Sequence, residues 1–157
     1  MRTDVVIYRP FQVAVTMKYT GLVGIIESDL AAIRVPPIRI SLNIGSEYII
    51  GRGCGKDTDI LVLISPEYVD ILRTRIMALG WRLCNPSGPV SQDDPQYPDQ
   101  LLSYRAGKIN LLFVWSESMF QTWLRCAEAC RYIAHVHGIT DKDTRVRIHQ
   151  IIMDEEL

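Results

Sequence analysis

The acidic pair Asp57-Thr58-Asp59, followed at once by the apolar run from Ile60 to Ile64, is the feature that most constrains this chain. The apolar run predicts a buried strand, which has to lie within a sheet. Side chains repeat every second residue along a strand, so we expect both carboxylates to converge at its mouth. Two ionised acids held that close repel each other unless a cation lies between them or one is protonated. The pair therefore predicts a magnesium site.

Length and charge narrow the class of protein. The 157 residues are enough for one domain with a sizeable core, so we expect a single domain over 1–157. Lys and Arg number 17 against 18 Asp and Glu, a net charge of −1, so no excess of positive charge indicates nucleic acid as a bulk electrostatic partner. Any binding of nucleic acid would have to be local. No apolar stretch approaches the roughly 20 residues of a membrane span, and the first residues of the sequence lack the charged-then-apolar layout expected of a secretory signal. With its four cysteines read as thiols, the chain is expected to be soluble and cytoplasmic, with no membrane partner.

The remaining patterns predict a mixed sheet flanked by helices, an α/β (α+β) fold. Strands are expected at 5–8, 12–16, 38–44 and 81–84, and an antiparallel hairpin at 101–105 and 108–115. Helices are expected at 22–35, at 66–79, from Ser116 or Ser118 to Gly138, and from a capping box at 140–143 to the C-terminus. The proline-rich segment 85–100 predicts a loop, which is either a lid, a partner-binding segment or a hairpin tip.

The two C-terminal helices carry cysteine and histidine residues that suggest a zinc site at first sight. The long helix is expected to bury one apolar stripe, formed by Phe120, Trp123, Leu124, Ala127, Cys130 and Ala134. Because Cys130 lies on this stripe, core packing of Cys126 and Cys130 is favoured over zinc binding with His135 and His137. The last helix is expected to bury Val146, Ile148, Ile151 and Ile152 and to leave His149 on its surface.

The segment that leads into the acidic strand has the composition of a phosphate site. Gly45-Ser46 ends a predicted strand, and amides and a hydroxyl at such a junction can hold phosphate oxygens. The glycine-rich bend that follows contains Arg52 and Lys56, which either contact phosphates or remain solvated loop cations. It is not a Walker loop, because Asp57 stands where Ser or Thr is required. The dinucleotide fingerprint fails because Lys56 stands in place of its third glycine.

Taken together, Gly45-Ser46, ten intervening residues and Asp57-Thr58-Asp59-Ile60 resemble the signature of the nucleotidyltransferase superfamily, which includes DNA polymerase beta. The resemblance implies transfer of a nucleoside monophosphate from a nucleoside triphosphate to an acceptor. It implies that Asp57 and Asp59 are catalytic ligands of Mg²⁺ or Mn²⁺, and that Gly45 and Ser46 bind the triphosphate, with Arg52 and Lys56 as secondary nucleotide-binding residues. The segment from Lys108 through the long helix also resembles small nucleotidyltransferase-like proteins encoded by bacteriophages.

The chain departs from this family at the third carboxylate that its members carry on a neighbouring strand. The corresponding strand offers Asn110, and an amide can coordinate a cation but cannot act as a general base. The third ligand is otherwise absent or comes from the loop acids Asp93, Asp94 and Asp99. Two hypotheses follow. The first is a metal-dependent nucleotidyltransferase with an RNA or protein acceptor; the second is an inactive binding protein, such as a phage protein that engages a host factor through loop 85–100 or the C-terminal helices.

Overall fold

A mixed sheet forms the centre of the molecule. The computed structural model describes residues 4–6, 13–41, 45, 49–50, 58–84 and 101–156. Within these ranges the strands are β1 (Asp4–Val6), β2 (Pro37–Ser41), β3 (Thr58–Ile64), β4 (Arg82–Leu83), β5 (Leu101–Ala106) and β6 (Ile109–Val114). They form a six-stranded sheet in the order β1-β2-β3-β6-β5-β4. The helices are α1 (Val13–Ala32), α2 (Val69–Arg75), α3 (Glu117–His137) and α4 (Lys142–Glu156).

Strand β3 lies in the middle of the sheet. It pairs antiparallel with β2 on one side and parallel with β6 on the other. Every residue from Ile60 to Ile64 is buried, with at most 3% of its surface exposed. An apolar run without alternation suits this position because both faces of the strand are covered. The predicted buried strand is therefore confirmed.

The two faces of β3 contact different helices. Ile60, Val62 and Ile64 pack into a cluster with residues of α1 and α2, on what we call the first face. Leu61 and Leu63 pack into a second cluster with residues of α3 and α4, on the second face. Residues two apart on a strand share a face, so Asp59 points to the second face with Leu61. The sheet thus directs the predicted site residue towards the C-terminal helices.

Helix α1 corrects the prediction for the N-terminal segment. We expected a strand at 12–16 and a helix from residue 22, but one helix covers Val13–Ala32. The run of β-branched residues near its start is too short to override a helix that buries Val23, Ile26 and Leu30 at helical spacing. Arg34, with a φ of 61°, ends the helix, and the Val35 amide donates to the Leu30 carbonyl at 2.9 Å. This left-handed cap stops the helix before the prolines that we expected to stop it.

The middle of the chain follows the predicted order with shorter elements. The segment expected to be one helix at 66–79 contains a 3₁₀ turn (Pro66–Tyr68), α2, and a second 3₁₀ turn (Ile76–Leu79). It ends at Gly80, whose φ of 94° favours glycine. The expected hairpin is present, with β5 and β6 joined at Gly107-Lys108. The proline-rich loop 85–100 lies outside the described residues.

The C-terminal helices begin at caps that only partly match the sequence. Ser116 caps α3, because its hydroxyl accepts a hydrogen bond from the Met119 amide at 3.1 Å. For α4 the expected capping box at Thr140 is wrong by one residue, since Asp141 Oδ2 accepts from the Thr144 amide at 2.9 Å. All six residues predicted for the apolar stripe of α3 are buried. None of the helices in the described ranges has an apolar stretch long enough to cross a membrane.

Candidate metal and nucleotide site

Asp59 and Asn110 lie side by side on neighbouring strands. They are paired in the parallel register of β3 and β6, and Asn110 Nδ2 donates a hydrogen bond to Asp59 Oδ1 at 2.9 Å. Both residues are half-buried. A hydrogen bond to a carboxylate is stronger than one between neutral groups, so the amide holds the Asp59 side chain in one orientation. The strand that the sequence identified as the neighbour of the acidic strand is the neighbour in the structure.

Gly45 touches the other oxygen of the same carboxylate. A Cβ atom added at Gly45 would overlap Asp59 Oδ2 and would lie 2.8 Å from Asp59 Cγ. Only a residue without a side chain allows the backbone to approach this closely. The Ile49 amide donates to the Gly45 carbonyl at 3.0 Å, and Ile49 is buried in the second-face cluster. This hydrogen bond ties Gly45 to a buried residue and so holds the Gly45 backbone against Asp59.

Asn110 occupies the place where a third carboxylate was expected, and it contributes no negative charge. Its amide nitrogen is a donor and its amide oxygen an acceptor, and neither takes up a proton near neutral pH. The oxygen donors of Asp59 and Asn110 suit a hard cation such as Mg²⁺ or Mn²⁺. Within the described residues no group of three or more His, Cys, Asp or Glu side chains is placed to hold a metal ion. Among the described residues, the site thus contains one carboxylate, that of Asp59, and one side-chain amide, that of Asn110.

Several predicted site residues lie outside the described residues, so their roles stay predictions. They are Ser46, Arg52, Lys56 and Asp57, together with the loop acids Asp93, Asp94 and Asp99. Glu117, the next acid after Asn110, is placed at the opposite end of the sheet. It forms an ion pair with Arg39, which lies opposite Leu63, and this contact lowers the pKa of Glu117. Glu117 is therefore not a third ligand beside Asp59.

Two arginines that the sequence analysis did not single out continue the line from Asp59 and Asn110. Arg105 on β5 pairs with Asn110, and Arg82 on β4 pairs with Arg105. A signal for Arg105 exists in the sequence, because the tight turn at Gly107-Lys108 sets which residues of the hairpin lie opposite each other. The register of β4 depends on contacts across the sheet, so no local pattern reveals the position of Arg82.

The two cysteines of α3 are packing residues, whereas its two histidines lie on the surface. Cys126 and Cys130 are buried, and His135 and His137 are exposed. Burial raises the pKa of the Cys130 thiol to about 11, so the thiol is neutral at physiological pH. The burial of the two cysteines agrees with the core packing that the apolar stripe predicts.

The expectation that His149 lies on the surface is wrong. Only 9% of His149 is exposed, and its ring contacts the Trp123 ring edge to face at a centroid distance of 5.0 Å. Burial, with a smaller contribution from the charge of Arg145, lowers the pKa of His149 to about 4. His149 is therefore a neutral packing residue between α3 and α4 near pH 7.

The comparisons with known proteins support the fold and leave the activity open. No family model matches the chain, and no curated protein matches it. A similar solved structure is that of the conserved protein GrpB from Enterococcus faecalis, with a TM-score of 0.52 and 13% sequence identity. The likeness covers 92% of this chain and 96% of that one. At this identity the likeness shows the fold alone.

The class of fold follows from the strand order and this likeness together. The chain has a mixed α+β fold, a mixed sheet with helices on both faces, and the solved structure of GrpB is similar to it over most of its length. The fold class expected from the sequence is therefore confirmed. Because one fold serves many activities, the function has to be argued from the site.

Proposed function

We propose that this chain is a metal-dependent nucleotidyltransferase that binds a nucleoside triphosphate at the edge of β3. The observation that carries the proposal is the contact between the Gly45 backbone and the Asp59 carboxylate. It joins the two halves of the Gly-Ser and Asp-x-Asp signature in space, although other residues separate them in the sequence. A turn with no binding role would not need a glycine in contact with an acid that follows it 14 residues later in the sequence.

The proposal gives each residue of the candidate site a role in this reaction. Asp57 and Asp59 would hold Mg²⁺ or Mn²⁺, which neutralises phosphate charge and polarises the reacting phosphoryl group. Asn110 orients the Asp59 carboxylate through its amide. The missing side chain at Gly45 lets its backbone lie beside the metal ligand Asp59. Gly45 and Ser46 would there contact triphosphate oxygens, with Arg52 and Lys56 as further contacts. In the transfer, the oxygen of an acceptor hydroxyl forms a bond to the α-phosphorus, the bond to the leaving pyrophosphate breaks, and the hydroxyl proton passes to solvent.

The test is ligand-dependent thermal stability with each of the four ribonucleoside triphosphates and Mg²⁺. A ligand at 100 times its Kd stabilises a folded protein by about 2.7 kcal/mol, which raises the Tm of a chain of this size by roughly 5–10 °C. We expect such a rise for at least one nucleotide, and we expect Asp59→Asn to abolish it. Asp70→Asn, at an exposed position in α2, removes the same charge and serves as the matched control. The absence of any shift at millimolar nucleotide and Mg²⁺ would contradict the proposal.

A second candidate function is a binding protein on this fold that lacks transferase activity. It is favoured by the hydrogen bond from Asn110 to Asp59, because an amide donor takes the place of a carboxylate that could accept a proton. Pyrophosphate release measured with saturating nucleotide, Mg²⁺ and RNA or protein acceptors separates the two candidates. Nucleotide binding without pyrophosphate release would favour the binding protein.

The narrower form of this second candidate is a bacteriophage protein that engages a host factor through loop 85–100 or the C-terminal helices. It stays a prediction. Deletion of residues 86–98 should remove the captured host protein from a pull-down, whereas Asp57→Asn should not. Retention of the partner by the deletion variant would contradict a role for the loop.

A further inference from the structure

A row of four polar side chains crosses the second face of the sheet at the level of Asp59. Asp59 pairs with Asn110, Asn110 with Arg105, and Arg105 with Arg82, each pair on adjacent strands. Residues paired in register point to the same face. The hydrogen bond between the first two members confirms that they share it. The row therefore leads from the candidate metal ligand, over its amide partner, to two arginines.

The two arginines lie at increasing distance from Asp59 along the row. Neighbouring strands are about 4.8 Å apart, which places the Cα atoms of Arg105 and Arg82 about 10 and 14 Å from that of Asp59. Both side chains are exposed. Arg105 Nε donates to the Gly107 carbonyl at 3.0 Å, which directs this guanidinium towards the β5–β6 turn. Positive charge thus extends along the exposed part of the second face, on the side of the β5–β6 turn.

The same turn brings a third cation to this region. Lys108 is exposed, and its carbonyl accepts a hydrogen bond from the Thr58 amide at 2.7 Å. That bond joins the turn to the first residue of β3, directly before Asp59. Lys108, Arg105 and Arg82 therefore surround one side of the candidate site. The net charge of −1 for the whole chain makes this local concentration of cations a distinct feature.

Arg82 and Arg105 are cross-strand neighbours on β4 and β5. A guanidinium group presents several N–H donors in a geometry that matches phosphate oxygens. The sheet therefore presents two neighbouring arginines of a type suited to phosphate groups.

The position of the arginines separates them from the proposed donor site. Gly45 follows β2, which lies on one side of β3, whereas Arg105 and Arg82 lie beyond β6 on the other side. A triphosphate held at Gly45 would thus leave the arginine side for the acceptor. Cations spread over roughly 10 Å of sheet suit consecutive phosphates of a polymer better than one small anion. A row one residue wide suits a single strand.

We propose that Arg82 and Arg105, with Lys108, bind the phosphodiester backbone of a single-stranded nucleic acid, whose end is the acceptor of the transfer. The inference deepens the proposed function and rests on it for the role of the strand as acceptor. Arg82 and Arg105 position the acceptor and take no part in bond making. The hydroxyl at the end of the strand would approach Asp59 over Asn110.

The experiment compares the full chain with two doubly substituted variants of equal charge. Arg82→Gln/Arg105→Gln removes the proposed surface. Arg73→Gln/Arg147→Gln is the matched control, because both of its arginines are exposed and lie on helices, outside the row. The probes are fluorescein-labelled 12-nucleotide RNA and DNA strands of one sequence, followed by fluorescence anisotropy between 50 and 200 mM salt. Melting with Mg²⁺ and nucleotide is measured in parallel on all three proteins.

We expect the Arg82/Arg105 variant to bind the strands at least tenfold more weakly at 50 mM salt, and the control variant to bind as the unchanged chain does. Loss of two phosphate contacts should reduce the slope of log K against log salt by about 1.4, since each contact on a single strand contributes about 0.7. The nucleotide-dependent melting shift should stay unchanged in both variants. The strand that binds more tightly, RNA or DNA, shows which type of nucleic acid the surface prefers.

Three outcomes would overturn the inference. The first is that the unchanged chain does not bind the strands. The second is that the control variant loses as much affinity as the Arg82/Arg105 variant. The third is that a mononucleotide competes as effectively as the unlabelled 12-mer, which would indicate a site for one anion. Absence of strand binding with an intact melting shift overturns this inference alone. Arginine-dependent strand binding without any melting shift supports the arginine surface and overturns the proposed donor site instead.

Discussion

At the scale of single residues, the candidate site depends on two contacts to one carboxylate. Asn110 donates to one oxygen of Asp59, and the backbone of Gly45 lies against the other. The two contacts come from opposite sides of β3, so a change on either side should alter the position of the carboxylate. Substitutions at Gly45 and Asn110 therefore test the site without removing the acid itself.

The first residue-scale prediction concerns Gly45→Ala. The added Cβ would displace the Asp59 carboxylate and break its hydrogen bond with Asn110, so we expect a loss of about 1.5 kcal/mol in the free energy of unfolding. The nucleotide-dependent rise in Tm should also disappear. Gly24→Ala is the control, because an added Cβ there would have no atom within 4 Å and the position lies within α1. Since alanine is favoured over glycine in a helix interior, this control should raise the free energy of unfolding by about 0.5–1 kcal/mol. Unchanged nucleotide binding in Gly45→Ala would contradict the predicted site.

The second residue-scale prediction concerns Asn110→Asp, which restores a carboxylate at the third position. Without metal, the new charge faces Asp59 and replaces an attractive hydrogen bond, so the Tm in EDTA should fall. Millimolar Mg²⁺ should reverse most of that fall, because a cation between the carboxylates removes the repulsion. Asn110→Ala, which removes the hydrogen bond without adding charge, should lose stability that Mg²⁺ does not restore. Equal responses of the two variants to Mg²⁺ would argue against a cation beside Asp59.

At the scale of elements, the docking of α4 against α3 differs most from the expectation. The apolar residues of α4 suggested a face of Val146, Ile148, Ile151 and Ile152, yet 54% of Ile151 is exposed, whereas Met153 is fully buried. His149 and Met153 lie one helical turn apart and both face the core. The contact with the Trp123 ring explains this rotation of the helix, because an imidazole packs against an indole edge while remaining neutral.

The element-scale prediction follows from the low pKa of His149. In the unfolded chain a histidine binds a proton near pH 6.5, but His149 in the folded chain does so only near pH 4. Between these values the unfolded state binds more protons, so stability falls as the pH falls from 6.5 towards 4. The contribution of His149 to the difference between pH 7 and pH 5 is about 2 kcal/mol.

Urea unfolding at pH 7 and pH 5 measures this effect. We expect His149→Leu to remove most of this contribution, so that the remaining pH dependence is shallower than in the unchanged chain. His135→Gln, at an exposed position of α3, should retain the full dependence. If His149→Leu and the unchanged chain lose the same free energy between the two pH values, then His149 is not buried as a neutral residue.

At the scale of the whole molecule, β3 couples two hydrophobic clusters that lie on opposite faces of the sheet. Ile60 belongs to the cluster with α1 and α2, and Leu61 to the cluster with α3 and α4. Neither residue exposes any of its surface. Because neighbouring residues of one strand serve both clusters, each cluster depends on the other for the position of β3.

The prediction at this scale is that Ile60→Ala and Leu61→Ala destabilise one common unfolding transition. Each removes a fully buried side chain, so each should lower the free energy of unfolding by about 2–5 kcal/mol. Ile25→Ala, with 59% of its residue exposed, is the control and should change that free energy by less than about 1 kcal/mol. Circular dichroism and tryptophan fluorescence should give coincident urea curves for all of them. Separate transitions for the two probes would show that the clusters unfold independently.

The sequence by itself determined the central strand, the long α3 helix, the hairpin and the pairing of a Gly-Ser junction with an acidic strand. These features depend on local patterns of apolar residues, caps and turns, which act over a few residues. The tertiary structure alone decided that the segment at 13–16 joins α1, that His149 faces the core and that Arg82 lies in line with Asp59. Each of these depends on contacts between residues far apart in the chain, because packing against the sheet outweighs the small free energies of local preference.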